Sequence, residues 1–410
     1  MRKIWLINHY AMPPELEPRI RTVKFAEFLQ QRGYDVTIVG ASSMHNMNSN
    51  LITDRSPYAI RSYGDIKFIH IRARNYKNMT QRIINLLEFP LRLLWYASHF
   101  ERPDIIIHTA TVPFSNVLCF LARKLKVQYI VEVLDLWPES FRMLGLISER
   151  NPLLPMLYWC ERWLYVRANR LVFSMEGGKD YLIEKGWDTS SGGAIELDKV
   201  LHINNGVDLK EFARLKETYM LDDADLQEHS TFRVVYIGAI RHFNNIKMLI
   251  DAAKMLMANK SLKVLIYGDG DQREELETYA RVNGISNVIF KQRFVDKKFI
   301  PYILSRSSLN IINYDQSDIW RYGESQNKMF QYLASGRPIC SNIVPAYSII
   351  QRYQCGIAQK FKDADEYATA IQSLCVMPEQ QYEALCSNAL IGAAEYDFDV
   401  LTKKLVELFE

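Results

Sequence analysis

The chain has 410 residues, enough for two domains with separate cores. Its 48% hydrophobic and 24% charged content is that of a globular fold, and a net charge of +3 without a basic tail gives no electrostatic basis for nucleic-acid binding. No run of eighteen uncharged apolar residues occurs, so no bilayer span is predicted.

The opening MRKIWLINHY reads as a first strand over residues 3–8, its apolar run being too short for a signal peptide. Met12-Pro13-Pro14-Glu15 forces a loop, a helix runs from about residue 18 to Gly33, and residues 36–39 form the next strand. Strand, loop, helix, strand is a βαβ unit, which predicts a parallel sheet with ligands at the strand C-termini. From 71 to 101 the chain turns basic and aromatic: Arg72, Arg74, Lys77, Arg82 and Arg92 face the single acid Glu88 up to residue 100, with Pro90 breaking or kinking the helix. Such a segment suits either the headgroup layer of an anionic membrane or a helix covering the sheet. Buried strands are predicted at 104–109 and 128–133, with a helix at 115–126 between them. Further strands lie near 170–174 and 200–203.

A polar connection at 216–230 precedes a second series: strand 232–237, helix 245–257, strand 262–267, then turn, helix and strand through YGDGDQREELETYARVNGISNVIF. Residues 309–313 form a buried strand, and a helix follows over 326–335 with Ser325 as N-cap and Gly336 and Pro338 as stops. Strand, loop and a helix whose first turn carries Asn327 and Lys328 make an anion site, because free N–H groups, helix dipole and ammonium point one way. An ordinary amphipathic helix with Met329, Phe330, Leu333 and Ala334 on its apolar face is the alternative. Cys119, Cys160, Cys340, Cys355, Cys375 and Cys386 show no metal-ligand spacing, which predicts reduced thiols in a cytoplasmic protein. No metal site is read from the sequence, and no cofactor is expected.

NKMFQYLASGRPI resembles the donor-nucleotide helix of glycosyltransferase family 4, retaining enzymes of the GT-B fold, whose usual form is close to N-K-L-F-E-Y-L-A-A-G-K-P-V. VLDLWPESF resembles the family's V-R-D-L-W-P-E-S, with Leu134 in place of Arg. Ile203-Asn204-Asn205-Gly206-Val207-Asp208 resembles P-N-G-V-D, YGDGDQREEL resembles G-x-G-p-x-x-x-x-L, and the end from Tyr396 resembles the family's terminal helix. The opening NHYAMPP is also similar, although ELEPR stands where the family has a Gly pair.

The resemblance implies an α/β chain of two Rossmann-like domains facing an interdomain cleft: residues 1–205 on the acceptor side, 206–390 for the nucleotide sugar, and 391–410 as a helix crossing back. It implies transfer of a sugar, with retention, from a UDP-linked donor to a lipid-linked acceptor of surface polysaccharide, on the inner face of the cell membrane. Arg241 and Lys328 would neutralise the departing diphosphate. Gly238, Asn244, Gly268, Gly270, Glu324, Ser325, Asn327 and Gln331 would line the donor. His108 and Asp135 would face the acceptor, although Asp135 reads equally as a helix cap and a lone strand-end His as structural. Two departures stand out: Gln331 replaces the family's ribose-binding Glu, and Gly323 stands where the Glu-x7-Glu pattern needs an acid. They keep open a non-catalytic nucleotide-sugar-binding partner, or a nucleotide-sugar epimerase.

Overall fold

The computed structural model describes residues 1–16, 20–44, 49–228 and 230–409. The chain divides into two compact units, Met1–Asn204 with Leu401–Glu410, and Asn205–Val400.

In the first unit the order is β1 (Lys3–Ile7), α1 (Arg21–Gln31), β2 (Asp35–Ala41), β3 (Tyr58–Tyr63), β4 (Ile66–Ile71), α2 (Met79–Tyr96), β5 (Ile105–Thr109), α3 (Leu118–Leu125), β6 (Gln128–Val133), α4 (Glu139–Met143), α5 (Leu154–Arg167), β7 (Arg170–Phe173), α6 (Gly178–Glu184) and β8 (Val200–His202). The sheet order is β3-β4-β2-β1-β5-β6-β7-β8. Every pair is parallel except the β3–β4 hairpin, which turns through Gly64 at φ 58°. Central strands such as KIWLI and IIIHT are apolar without alternation because helices cover both faces. Steps from β4 to β5, β5 to β6 and β6 to β7 all advance the same way, so right-handed crossovers put α2, α3 and α5 on one face.

The helix expected from about residue 18 begins at Arg21; residues 17–19 of the ELEPR loop lie outside the described residues. Pro90 neither breaks nor ends α2, which runs through it to Tyr96. A buried ion pair fastens α1 to the sheet: Arg21 Nε donates to Glu132 Oε1 at 2.8 Å, Thr109 Oγ1 donates to Glu132 Oε2 at 2.8 Å, and Arg21 also donates to the Ile203 carbonyl at 2.8 Å. Breaking such a pair by removing one partner costs about 3–5 kcal/mol. The chain end packs on this unit, with Arg2 donating to the Phe409 carbonyl at 2.7 Å.

The second unit contains α7 (Leu209–Thr218), α8 (Ala224–Gln227), β9 (Phe232–Ile237), α9 (Ile246–Met255), β10 (Leu262–Tyr267), α10 (Arg273–Val282), β11 (Val288–Phe290), α11 (Ile300–Ser305), β12 (Leu309–Ile312), α12 (Asn327–Ala334), β13 (Ile339–Ser341), α13 (Ile349–Tyr353), β14 (Gly356–Ala358), α14 (Ala364–Cys375) and α15 (Glu379–Glu395); α16 (Phe398–Val406) carries the chain onward. Its all-parallel sheet runs β11-β10-β9-β12-β13-β14. The chain leaves β9 first toward β10 and later returns to β12 on its other side. That reversal opens a crevice at the C-terminal ends of β9 and β12, where parallel α/β sheets take ligands.

Candidate active site

Two glycine turns form the floor of this crevice. After β9 the chain turns at Gly238, whose N–H donates to the Tyr267 carbonyl at 3.1 Å. After β10 it turns at Gly268 and Gly270; a Cβ on Gly268 would lie 1.9 Å from the Gly238 carbonyl oxygen, and one on Gly270 would lie 2.1 Å from that of Ile240. Ile240 N–H donates to the Asp269 carbonyl at 2.9 Å, so the two turns are joined backbone to backbone. Only residues without side chains permit that approach.

Lys328 points at this floor from the first turn of α12. A Cβ on Gly238 would lie 2.9 Å from its Nζ. The ammonium stands 4.7 Å from the Tyr236 ring centroid and 5.0 Å from that of Tyr314. No carboxylate among the described residues pairs with it, and burial pushes it down to about 8, so it is still mostly charged at neutral pH. Its walls are fixed: Tyr236 Oη donates to the Ala239 carbonyl at 2.6 Å, and the Asn342 amide bonds both backbone groups of Tyr314 at 2.9 and 2.8 Å.

The start of α12 differs from the sequence expectation. Gln326, not Ser325, is the N-cap, and it makes no side-chain cap hydrogen bond. Ser325 is used otherwise: the Asn205 amide donates to its carbonyl at 2.6 Å and to its hydroxyl at 3.1 Å. The helix therefore begins at Asn327, with Asn327 and Lys328 in its first turn. Gln331, one turn on, is partly buried and its side chain makes no hydrogen bond among the described residues. Glu324 follows Gly323 (φ 105°) and is 5% exposed; Ile349 N–H donates to its Oε1 at 3.2 Å, and burial pushes its carboxyl up to about 7.

Arg241 is exposed just past the β9 turn. Asn244 is buried, and its carbonyl accepts from Asn313 Nδ2 at 3.0 Å, so its backbone serves as internal bracing of the loop. Tyr236 and Tyr314 were not among the residues read from the sequence, and Asn205 was read only within the P-N-G-V-D-like motif. Tyr236 lies in β9 and Tyr314 just beyond β12, and only the β9–β12 pairing brings them to one ammonium.

In the first unit, His108 is a core group, 1% exposed, with Nδ1 at 2.6 Å from Tyr129 Oη and burial pushing it down to about 3. The ring therefore lies inside the sheet, packed beside Tyr129. Asp135 is exposed two residues past β6, and α4 starts behind Pro138. Glu139 of the same motif is buried. Burial would raise its carboxyl, but hydrogen bonds from Arg142 (2.7 Å), Lys185 (2.7 Å) and Tyr158 hold it down at about 2. It ties α4, α5 and the end of α6 together.

The sequence matches two family models in order: a glycosyl transferase 4-like domain over residues 18–191 and glycosyl transferases group 1 over residues 231–376. The chain belongs to the GT-B glycosyltransferases of family 4. A relative of this chain, alpha-D-kanosaminyltransferase of Streptomyces kanamyceticus, is 24% identical over 199 residues, 48% of this chain and 48% of that protein, so the match spans about half the relative's length. Solved structures agree in fold. Sucrose-phosphate synthase of Thermosynechococcus elongatus superposes with TM-score 0.71 at 16% identity, covering 100% of this chain and 98% of that one. An E. coli trehalose-6-phosphate structure bound with UDP-2-fluoro glucose gives 0.74 at 12%, covering 100% and 99%. Anabaena HepE in complex with UDP-glucose gives 0.66 at 14%, covering 99% of each.

Proposed function

We propose that this glycosyltransferase binds a UDP-sugar in its second unit and passes the sugar, with retention, to a lipid-linked saccharide acceptor in surface-polysaccharide synthesis at the inner face of the cell membrane. The observation that carries the donor half is Lys328: an ammonium with no carboxylate partner among the described residues, aimed at the Gly238 turn from the first turn of a helix. A diphosphate placed on the Gly238 and Gly268 turns would meet that cation, and Arg241 from the adjoining turn would add a second. Fixed charges of this kind stabilise a departing diphosphate without reorganisation in the transition state. The UDP-sugar ligands in the E. coli and Anabaena structures support uridine as the nucleoside. The acceptor half is read from the family resemblance.

The test is a panel of UDP-, GDP- and TDP-sugars assayed by thermal shift and then by product analysis with lipid-linked saccharides. A ligand that binds the folded state stabilises it according to its affinity. Transfer from a UDP-sugar that survives EDTA is the expected result. Stabilisation only by other nucleotides, or transfer that EDTA abolishes and Mn²⁺ restores, would reject the donor reading. The non-catalytic alternative draws on Gly323 and Gln331, where the resemblance has carboxylates; UDP-sugar binding without transfer to any acceptor would select it.

A further inference from the structure

One side of α2 packs inward through Asn85, Leu86, Phe89 and Leu93. The opposite side is apolar as well. Met79, Ile83, Leu87, Leu91 and Trp95 are 66%, 40%, 41%, 50% and 77% exposed, each four residues after the last. Residues at that spacing form one continuous ridge, about 24 Å long at 1.5 Å per residue. A solvated helix face carries polar residues at such positions, and an apolar patch of this extent marks an interaction surface. The layer continues across α3 and α5: Phe120, half exposed, lies 5.6 Å from the Trp163 ring, and Met156 and Trp159 are also exposed.

Charge selects the occupant. These three helices carry Arg82, Arg92, Arg123, Lys124, Arg162 and Arg167. Their acids are Glu88, held between Arg74 at 2.9 Å and Arg92 at 3.5 Å, and Glu161, buried under the hydroxyls of Tyr165 and Tyr181. Neither acid is exposed. A second copy of the chain would set like charges against each other, whereas anionic lipid headgroups complement them. An indole at the end of the ridge suits the headgroup boundary, apolar on its body and polar at its N–H.

We propose that the α2 ridge is a bilayer-insertion face, with Met79, Ile83, Leu87 and Leu91 lying below the headgroups of an anionic membrane and Trp95 at the headgroup boundary. Its purpose rests on the lipid-linked-acceptor reading, since a protein lying on the bilayer meets such an acceptor there. Insertion of the ridge, more than guanidinium attraction, holds the protein: Arg82 donates to Tyr10 Oη at 3.3 Å, and Arg92 shares Glu88 with Arg74.

The experiment sediments the full chain with vesicles of phosphatidylcholine mixed with phosphatidylglycerol, at low and high salt, beside the double variant Leu87→Glu/Leu91→Glu. Wild type should bind and stay bound at high salt, while the variant loses about tenfold or more in partitioning. Both positions are exposed, so the variant should keep its melting temperature and UDP affinity. Three outcomes overturn the proposal: wild type that ignores the vesicles, binding that salt abolishes and the variant keeps, or a concentration-dependent dimer that the variant dissolves. Ridge-dependent binding by a protein that transfers nothing to lipid-linked saccharides supports the insertion face and sinks the acceptor reading alone.

Discussion

The Lys328 ammonium lies 4.7 Å from the Tyr236 ring, and the same tyrosine's hydroxyl holds the turn at Ala239. The residue that presents the cation therefore also shapes the floor it faces. Burial of a charge that no carboxylate among the described residues offsets is unfavourable in the empty protein and becomes favourable when an anion arrives.

Lys328→Met should separate these effects. UDP affinity should fall at least tenfold and kcat/KM by about two orders of magnitude, as loss of a preorganised charge does. The empty protein should gain about 1–2 kcal/mol, within the range for relieving a strained functional site. The sign with pH follows from the depressed value. Above about 8 the folded lysine sheds its proton before the unfolded one does, so the empty protein's stability rises toward pH 10.5 while UDP binding weakens. Urea midpoints and UDP titrations across that range would check both; loss of stability in the variant would reject the account.

The two floor glycines should respond differently to alanine. Gly268→Ala drives a methyl into the Gly238 carbonyl, a backbone atom with little room to yield, and should cost about 1–3 kcal/mol of stability. Gly238→Ala meets the far end of the Lys328 side chain, which can swing away. With only the strain of φ 156° and the Tyr236 hydroxyl at 3.2 Å left to resist it, the substitution should cost less stability than Gly268→Ala and should weaken UDP binding. Equal melting losses in both would mean that the ammonium is as rigid as the backbone.

Gln331 stands where the resemblance has a ribose-binding carboxylate, and its amide is unengaged among the described residues. Gln331→Glu should tighten UDP modestly, because a charged acceptor bonds a hydroxyl more strongly, and Gln331→Ala should weaken it several-fold. Calorimetric titration with UDP decides; no change in either variant places the ribose elsewhere.

Buried carboxyls give a pH signature. Glu324 is pushed up to about 7 and Glu161 to about 8, both chiefly by burial. Each folded carboxyl keeps its proton where the unfolded one, near 4.5, has lost it, so each makes stability fall as pH rises from about 4.5 to its folded value. The variants Glu324→Gln and Glu161→Gln should each flatten that fall relative to wild type in melts from pH 4 to about 8. A wild-type slope that both variants share would mean that neither group is protonated in the fold.

The buried strands were legible where apolar residues ran on without polar interruption: residues 128–133, 232–237 and 262–267 agree end for end with β6, β9 and β10. The β3–β4 hairpin escaped notice because YAIRSY, at the sheet edge, is mostly exposed, leaving only Tyr63-Gly64-Asp65 as a turn signal. Asn327 and Lys328 were readable because a helix start needs only neighbours in sequence. Ser325 was misread by the same local logic: a serine before a helix is a good cap until a distant amide, here Asn205, takes its oxygens. For His108 the resemblance suggested an acceptor role while its strand-end position read equally as structural, and only the packing of Tyr129 beside it shows where the ring lies.

An amine that titrates near 8 is also a nucleophile at ordinary pH, because an appreciable share of it carries a free lone pair. Lys328 should therefore react with aldehydes and activated esters far ahead of the surface lysines. A bound nucleotide would shield it and restore its proton. Under the proposed function this makes the amine a target for covalent capture: an aldehyde carried on a uridine diphosphate scaffold would be guided to Lys328, and the imine, once reduced with borohydride, would report occupancy by mass.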